Sequence, residues 1–253
     1  MQNVVLSVLA HPDDCEFLCA GAMIRLMREH GWRVHIASMT PGDCGSAEHA
    51  PEEISRIRRG EGARAAAVLG AAYDCLEERD LQIFYNERAL EKVTGLLRQV
   101  RPRLVFTHSS ADYMLDHEMT SAVARAACFA AACPNFLCNR GQGHALEHIP
   151  HLYYCDAVEG KDPLGRKLEP GLTIDISKVL PTKLEMLAAH ASQRDWLRRQ
   201  HGMDQYLDSM KAWCAKRGQP MGLAFAEGFR QHLGHSYPQD DLLGQLLGPP
   251  RTS

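Results

Sequence analysis

Four side chains that could bind a metal ion or move a proton fall within one short segment near the start of the chain. They are His11, Asp13, Asp14 and Glu16. The segment is acidic and has no glycine, so it is unsuited to the pyrophosphate of a dinucleotide. An imidazole beside carboxylates is instead typical of a cation site. A structural alternative stays open, because Asp13 and Glu16 have the spacing of a helix-capping box.

A second polar cluster occurs near the middle of the chain and contains His108, Asp112, Asp116 and His117. These residues could also belong to an ordinary polar loop, with Asp116 as the N-cap of the helix that follows. The two clusters together make a stronger case than either alone. If both follow parallel strands, two histidines and one or two aspartates can converge on a single ion.

Each polar cluster directly follows a short apolar segment of the kind that forms a buried strand. The first segment is Val4–Ala10 and the second is Arg103–Thr107. Strands alternate with helices along the chain, which predicts an α/β fold with a mostly parallel sheet and helices on both faces. Ligands of such sheets bind beyond the carboxyl ends of the strands. The other predicted elements are the strands 32–39, 73–76, 152–158 and 172–176, the helices 17–30, 51–69, 86–100 and 116–132, and an amphipathic segment from Pro181 that includes Trp196 and Leu197.

The C-terminal part of the chain has weaker patterns. Trp196, Tyr206 and Trp213 recur at helical intervals and are predicted to be core residues. The chain after Tyr237 contains Pro and Gly and is predicted to be irregular. No repeat or long linker divides the sequence, so we expect one domain over residues 1–253, with a C-terminal elaboration from about residue 150.

Composition excludes several classes of protein. The 253 residues include 28 Lys and Arg against 31 Asp and Glu, for a formal net charge of -3, so there is no basic surplus to bind nucleic acid. The sequence has no stretch of about 20 apolar residues, so no transmembrane segment is predicted. The start of the chain does not resemble a signal peptide. We therefore expect a cytoplasmic protein, in which the nine cysteines are reduced and mostly serve packing.

The segment Ala10–Glu16 reads AHPDDCE and matches the motif A-H-P-D-D-x-E, with which the PIG-L/LmbE-like family of zinc-dependent N-acetylglucosamine-type deacetylases begins. Asp116-His117 resembles the end of the second motif of that family. The resemblance implies a Rossmann-like three-layer α/β sandwich with its site at the strand ends. Shorter similarities to the family are TPGD at 40–43, R-x-x-E at 58–61, LG at 69–70, HASQ at 190–193 and AEGF at 226–229.

The resemblance also implies roles for particular residues. By motif position, His11, Asp14 and His117 are the zinc ligands, with one zinc per chain, and Asp13 is the general base. Zinc held by two histidines and one carboxylate keeps a fourth position for water and lowers the pKa of that water. The candidates for contacts with the substrate are Arg58, Asp80, Asp43, Asp112 and His108.

One position departs from the family pattern. Many members have H-P-D-H in the second motif, where this chain has M-L-D-H at Met114–His117. The first histidine of that motif is thought to protonate the leaving amine or to steady the oxyanion, and methionine can do neither. His108, Asp112 and Tyr113 are nearby candidates for the missing role, and the sequence does not rank them.

These observations lead to one main functional hypothesis. The chain is predicted to be a metal-dependent amidohydrolase that removes an N-acyl group, acetyl in the first instance, from an amino sugar or related amide. One alternative is a zinc-binding family member that has lost hydrolysis and binds a ligand or partner. A second is a phosphoesterase, which would use two metals and more carboxylates. The resemblance further implies a small-molecule substrate and a homo-oligomer, either a trimer or a hexamer.

Overall fold

A seven-stranded sheet forms the centre of the computed structural model, which describes residues 3–136, 144–194 and 205–248. Its strands are β1 (Val4–Leu9), β2 (Arg33–Ser38), β3 (Ala72–Cys75), β4 (Leu104–Thr107), β5 (His151–Cys155), β6 (Leu172–Asp175) and β7 (Ala226–Gln231). Their order across the sheet is β3-β2-β1-β4-β5-β7-β6. The first five strands are parallel, and β7 runs antiparallel to both of its neighbours. The predicted mostly parallel α/β architecture is therefore confirmed.

Helices cover both faces of this sheet. They are α1 (Asp14–Leu18), α2 (Ala20–His30), α3 (Pro51–Ala67), α4 (Glu87–Val100), α5 (Leu115–Ala131), α6 (Leu180–Ala188), α7 (Gln205–Gly218) and α8 (Leu242–Leu247). Strand β1 shows how the two cores are separated, because Val5 and Leu9 belong to one apolar cluster while Leu6 and Val8 belong to the other. Within the described ranges, no helix is long and apolar enough to cross a bilayer.

The helix predicted from Phe17 to His30 is divided in two. Cys19 has φ -143° and ψ -1°, so α1 ends there and α2 begins directly after it. The capping-box alternative is wrong, since Asp13 is the N-cap of α1 but its side chain makes no capping hydrogen bond. The Asp13 side chain instead accepts hydrogen bonds from partners at the site described below.

Three C-terminal predictions differ from the structure. The strand predicted to reach Val158 ends at Cys155, and a short 3₁₀ turn covers Val158–Gly160. Strand β7 was not predicted, because it contains Glu and Gly in place of an apolar alternation. The chain after Tyr237 is not wholly irregular, since the Asp241 side chain accepts a hydrogen bond from the Gly244 N–H and caps α8. Trp196 and Leu197 lie outside the described residues.

A buried ion pair joins β7 to the helices beside the first polar cluster. Glu227 accepts hydrogen bonds from the N–H groups of Gly21 and Ala22, each at 2.8 Å, in the first turn of α2. Lys183 Nζ lies 2.6 Å from Glu227 Oε1 and also donates to the carbonyl of Phe17. Burial alone would lower the pKa of Lys183, but the Glu227 carboxylate raises it above its usual value. The two side chains thus form an ion pair within the core.

Lys183→Met is expected to lower the free energy of unfolding by about 3–5 kcal/mol, because it leaves the Glu227 carboxylate buried without its cation. Urea unfolding followed by circular dichroism measures this loss. Lys211→Met is the matched control, since Lys211 is exposed and the same change there should cost no more than about 0.5 kcal/mol. Equal urea midpoints for the two variants would contradict the prediction.

Candidate metal centre

The two polar clusters meet at one edge of the sheet. Strands β1 and β4 pair in parallel, with Val8 opposite Thr107, so both strands end at the same edge. The first cluster follows β1, and His108 follows β4 directly. His117 lies in the first turn of α5, which begins at Leu115. The order of the strands thus brings residues from distant parts of the chain to one site.

Three of these side chains form a group with the geometry of a metal site. Possible ligand atoms of His11, Asp14 and His117 all lie within 4.8 Å of one another. His11 Nδ1 is 3.3 Å from Asp14 Oδ2, and His117 Nε2 is 3.6 Å from Asp14 Oδ1. Two atoms bound to one tetrahedral zinc are themselves about 3.4 Å apart. The donor set and its spacing therefore fit one zinc ion.

A carboxylate fixes the orientation of His117. Nδ1 of His117 lies 3.0 Å from Asp112 Oδ1, which leaves Nε2 directed at Asp14. Burial would lower the pKa of His117, but Asp14 and Asp112 raise it. Partners of this kind set the tautomer of a ligand histidine and increase its basicity. Asp112, predicted as a substrate contact, thus contacts a candidate ligand and does not line the cavity.

Asp112→Asn is expected to weaken zinc binding by roughly 10–100-fold, because the amide is a poorer hydrogen-bond acceptor for His117. Competition with a chelator of known affinity measures the dissociation constant. Asp208→Asn, on the exposed face of α7, is the control and should bind zinc like the wild type. An unchanged zinc affinity in Asp112→Asn would mean that Asp112 does not support the site.

His108 packs behind the cluster. It is fully buried, its ring stacks on His117 with centroids 3.8 Å apart, and its Nε2 accepts the N–H of Ala10 at 2.9 Å. Burial lowers the pKa of His108 to about 4. A neutral imidazole that does not line the cavity can neither contact a substrate there nor protonate a leaving group. Of the three sequence candidates for the role missing at Met114, Tyr113 alone lines the cavity.

Asp13, the predicted general base, lies beside the cluster with both carboxylate oxygens hydrogen-bonded. Arg58 Nη2 donates to Oδ1 at 3.1 Å, and the Tyr206 hydroxyl donates to Oδ2. Burial raises the pKa of Asp13, but the Arg58 guanidinium, His190 and the Tyr206 hydroxyl together hold it below the usual value. Asp13 is therefore an oriented, ionised carboxylate at the cavity wall.

Tyr206 is a site residue that the sequence did not reveal. Its ring is buried among apolar residues, as predicted, but its hydroxyl reaches Asp13 and lines the cavity. It lies on α7, which no sequence motif connects with the first cluster. Arg58 was expected to contact substrate; it is buried on α3 and donates to Asp13 and to the carbonyl of Gly42.

Asp80 and Asp43, the other predicted substrate contacts, accept hydrogen bonds in and around the TPGD loop at 40–43. Asp80 accepts hydrogen bonds from Thr40 Oγ1 at 2.5 Å and from the Cys44 N–H at 3.0 Å. Asp43 accepts the N–H of Asp80 at 2.8 Å and lies 3.2 Å from Arg79 Nε. Asp80 lines the cavity, whereas Asp43 does not.

Two more groups of potential ligands lie nearby within the described ranges. They are His108, Asp112 and His117, and Asp43, Cys44 and Asp80. The first group shares His117, whose Nδ1 is already engaged by Asp112. In the second group the carboxylates accept hydrogen bonds from the loop itself. Neither group adds an independent set of ligands, which favours one ion over the two that a phosphoesterase would use.

The cavity above the cluster has a volume of about 490 Å³. Its walls include His11, Asp14 and His117 together with Asp13 and apolar side chains. A larger cavity of about 740 Å³ lies near the amino end of β1 and contains none of these residues. The smaller cavity is therefore the candidate site, because it joins ionisable groups to a space of substrate size.

Residues 6–128 match the family model PIG-L, described as GlcNAc-PI de-N-acetylase. The matched segment contains both polar clusters and the strands that position them. The chain belongs to the PIG-L superfamily. It is thus an enzyme of that superfamily.

Relatives of this PIG-L protein include two kinds of enzyme. The 4-oxalmesaconate hydratase of Pseudomonas putida KT2440 is 26% identical over 200 residues, which cover 76% of this chain and 74% of that protein. The structure of the 4-carboxy-2-hydroxymuconate hydratase GalB from the same bacterium has a TM-score of 0.75 at 19% identity, covering 94% and 100% of the two chains. The N,N'-diacetylchitobiose deacetylase of Pyrococcus horikoshii has a TM-score of 0.71 at 24% identity, covering 95% and 88%. The similarity of both structures over most of this chain supports its α/β fold.

Proposed function

We propose that this PIG-L enzyme is a zinc-dependent hydrolase that removes an N-acyl group, acetyl in the first instance, from an amino sugar or a related neutral amide. The observation that carries the proposal is the convergence of His11, Asp14 and His117 beside the ionised Asp13 in one cavity. Two imidazoles and one carboxylate are the ligand set of many hydrolytic zinc sites. An oriented carboxylate beside such a site is the expected proton acceptor.

Each residue of the site has a distinct role in the proposed hydrolysis. His11, Asp14 and His117 would hold zinc, which lowers the pKa of water and polarises a carbonyl when bound. Asp13 accepts the proton that the attacking water loses, while Arg58 and Tyr206 keep its carboxylate in place. Asp13 then returns that proton to the amine nitrogen as the C–N bond breaks, because Met114 has no proton to give.

The charge of the cavity supports a neutral substrate. Among the described lining residues, Arg58 is the one guanidinium, and Asp13 already pairs with it. Asp13, Asp14 and Asp80 also line the cavity and disfavour additional carboxylates. A substrate with several carboxylates would need cationic partners to offset its desolvation. The described walls therefore suit an amide or a sugar better than a polycarboxylate.

A second candidate function is hydration of a carbon–carbon double bond. The 26% identical hydratase of Pseudomonas putida favours it. Met114 favours it as well, because the addition of water has no leaving amine to protonate. Asp13 would accept the same proton from water in either reaction, so the two functions differ in the substrate and in the later proton transfer.

One experiment separates these functions. The protein is purified without a metal-affinity tag, its zinc is measured by elemental analysis, and free acetate and amine are assayed with N-acetylglucosamine and a panel of N-acetylglucosaminides. About one zinc per chain with acetate release is the expected result. Loss of the ultraviolet absorbance of 4-carboxy-2-hydroxymuconate without acetate release would select the hydratase. Bound zinc with neither reaction would favour a ligand-binding member, and absence of zinc after reconstitution would refute the metal centre.

A further inference from the structure

An exposed apolar surface borders the cavity of the metal centre. Large apolar side chains are exposed in two segments, 81–85 and 113–115, that lie far apart in sequence. The N–H of Leu81 donates to Asp116 Oδ2 at 2.6 Å and so joins the two segments. We call the two cavity-lining members of these segments, Leu81 and Tyr113, the apolar rim; the other exposed apolar side chains of the two segments are Phe84, Tyr85 and Leu115.

The apolar rim lies next to the candidate metal ligands. The ring of Tyr113 packs edge-on against His117, with centroids 5.4 Å apart. Asp116 Oδ2, which accepts the Leu81 N–H, is also 3.5 Å from His11 Nε2. Leu81 and Tyr113 line the cavity, although each is 66% exposed. A molecule bound at the metal centre therefore meets these side chains at the mouth of the cavity.

The backbone of Leu81 gives a second reason to assign a role to the rim. Leu81 has φ +62°, a left-handed conformation in which a branched side chain is strained and glycine or asparagine is not. The hydrogen bond to Asp116 holds this conformation. Strain of this kind persists where the surrounding structure imposes it, and it is concentrated at functional sites. A leucine at this position retains an apolar surface that glycine or asparagine would lack.

We propose that the apolar rim binds an alkyl or aryl group on the amine half of the substrate. This inference rests on the proposed deacetylation. The acetyl group has two carbons and remains at the metal ligands, so the amine half extends past the rim. Met114 adds an apolar wall beside Tyr113, and the described cavity residues offer no free guanidinium. The substrate class is thus an N-acetylated amine or amino sugar with an uncharged apolar substituent.

The test compares octyl and methyl N-acetylglucosaminides on the zinc-loaded enzyme. We expect kcat/KM to be at least about tenfold higher for the octyl compound, since apolar area that leaves water favours binding. The variant Leu81→Asn with Tyr113→Ser should lower this octyl-to-methyl ratio about tenfold. Asparagine tolerates the left-handed backbone, so the loop is retained. Leu164→Asn is the matched control, because Leu164 is 81% exposed and lies outside the cavity.

A binding measurement tests the apolar rim independently of catalysis. Calorimetric titration with octyl glucosaminide, the deacetylated product, should give a dissociation constant about tenfold weaker for the double variant than for Leu164→Asn. Acetate release at equal kcat/KM from both compounds would refute the proposed role of the apolar rim and would still support the deacetylase function. Binding that depends on the rim without any acetate release would refute the deacetylase and retain the apolar site. A smaller oligomer for the double variant in light scattering would assign the rim to a subunit interface and overturn the proposal.

Discussion

Asp13→Asn is expected to keep zinc bound and to lower kcat by roughly 10²–10⁴-fold, the usual contribution of a general base. Asparagine has the same shape, and its carbonyl oxygen can still accept the hydrogen bond from Arg58. It cannot take a proton from water at neutral pH. The three proposed ligands are unchanged, so the metal centre should persist without its proton acceptor.

The matched variant is His117→Ala, which removes a proposed ligand and leaves Asp13 intact. This protein is expected to lose zinc after dialysis against a weak chelator, because two remaining ligands hold zinc poorly. Zinc content by elemental analysis and acetate release on the same samples give both readouts. If Asp13→Asn lost its metal as readily as His117→Ala, Asp13 would be a ligand and the assignment of roles would be wrong.

Arg58→Met is expected to lower the free energy of unfolding by about 3–5 kcal/mol, since it leaves the Asp13 carboxylate partly buried beside Asp14 without its cation. It should also change the pH dependence of the reaction. Arg58 lowers the pKa of Asp13, so its removal raises that pKa, and the acidic limb of the kcat profile should move to higher pH. Urea unfolding and a pH–rate profile measure the two effects.

Arg56→Met is the control for this change, because Arg56 is exposed on the same helix. It should alter neither the urea midpoint nor the acidic limb. The double variant Arg58→Met with Asp13→Asn should be more stable than Arg58→Met alone, since the buried charge is then absent. Strict additivity of the two stability changes would show that the pair is not coupled.

The sequence predicted the parts of this protein that depend on local patterns. The apolar β1 and the polar segment after it are adjacent in the chain, so one motif indicates both the strand and the candidate ligands that follow it. The Asp116-His117 pair likewise follows a predicted strand. The parallel sheet then requires both segments to meet, which explains why the fold and the possible ligand set could be predicted together.

The missed features depend on contacts between distant residues. The Tyr206 hydroxyl reaches Asp13, and Glu227 reaches the N–H groups of α2, but neither partner lies near the other in sequence. Periodicity indicates that Tyr206 is buried and cannot indicate what its hydroxyl contacts. Strand β7 was missed because the burial of Glu227 is stabilised by Lys183 and by backbone donors, and no local propensity records such partners.

The hydrogen bonds of Tyr206 and Glu227 join residues far apart in sequence, so they also determine when the site can be completed during synthesis. A ribosome completes β1, α1 and α2 long before it makes α6, α7 or β7. Until those elements emerge, Asp13 lacks one of its two donors, and the first turn of α2 lacks the carboxylate that caps it. Contacts at this separation close late and slowly, because a long loop must be ordered first. The nascent chain is therefore expected to form its candidate ligand residues early and to acquire a fully oriented Asp13 only after α7 has been synthesised.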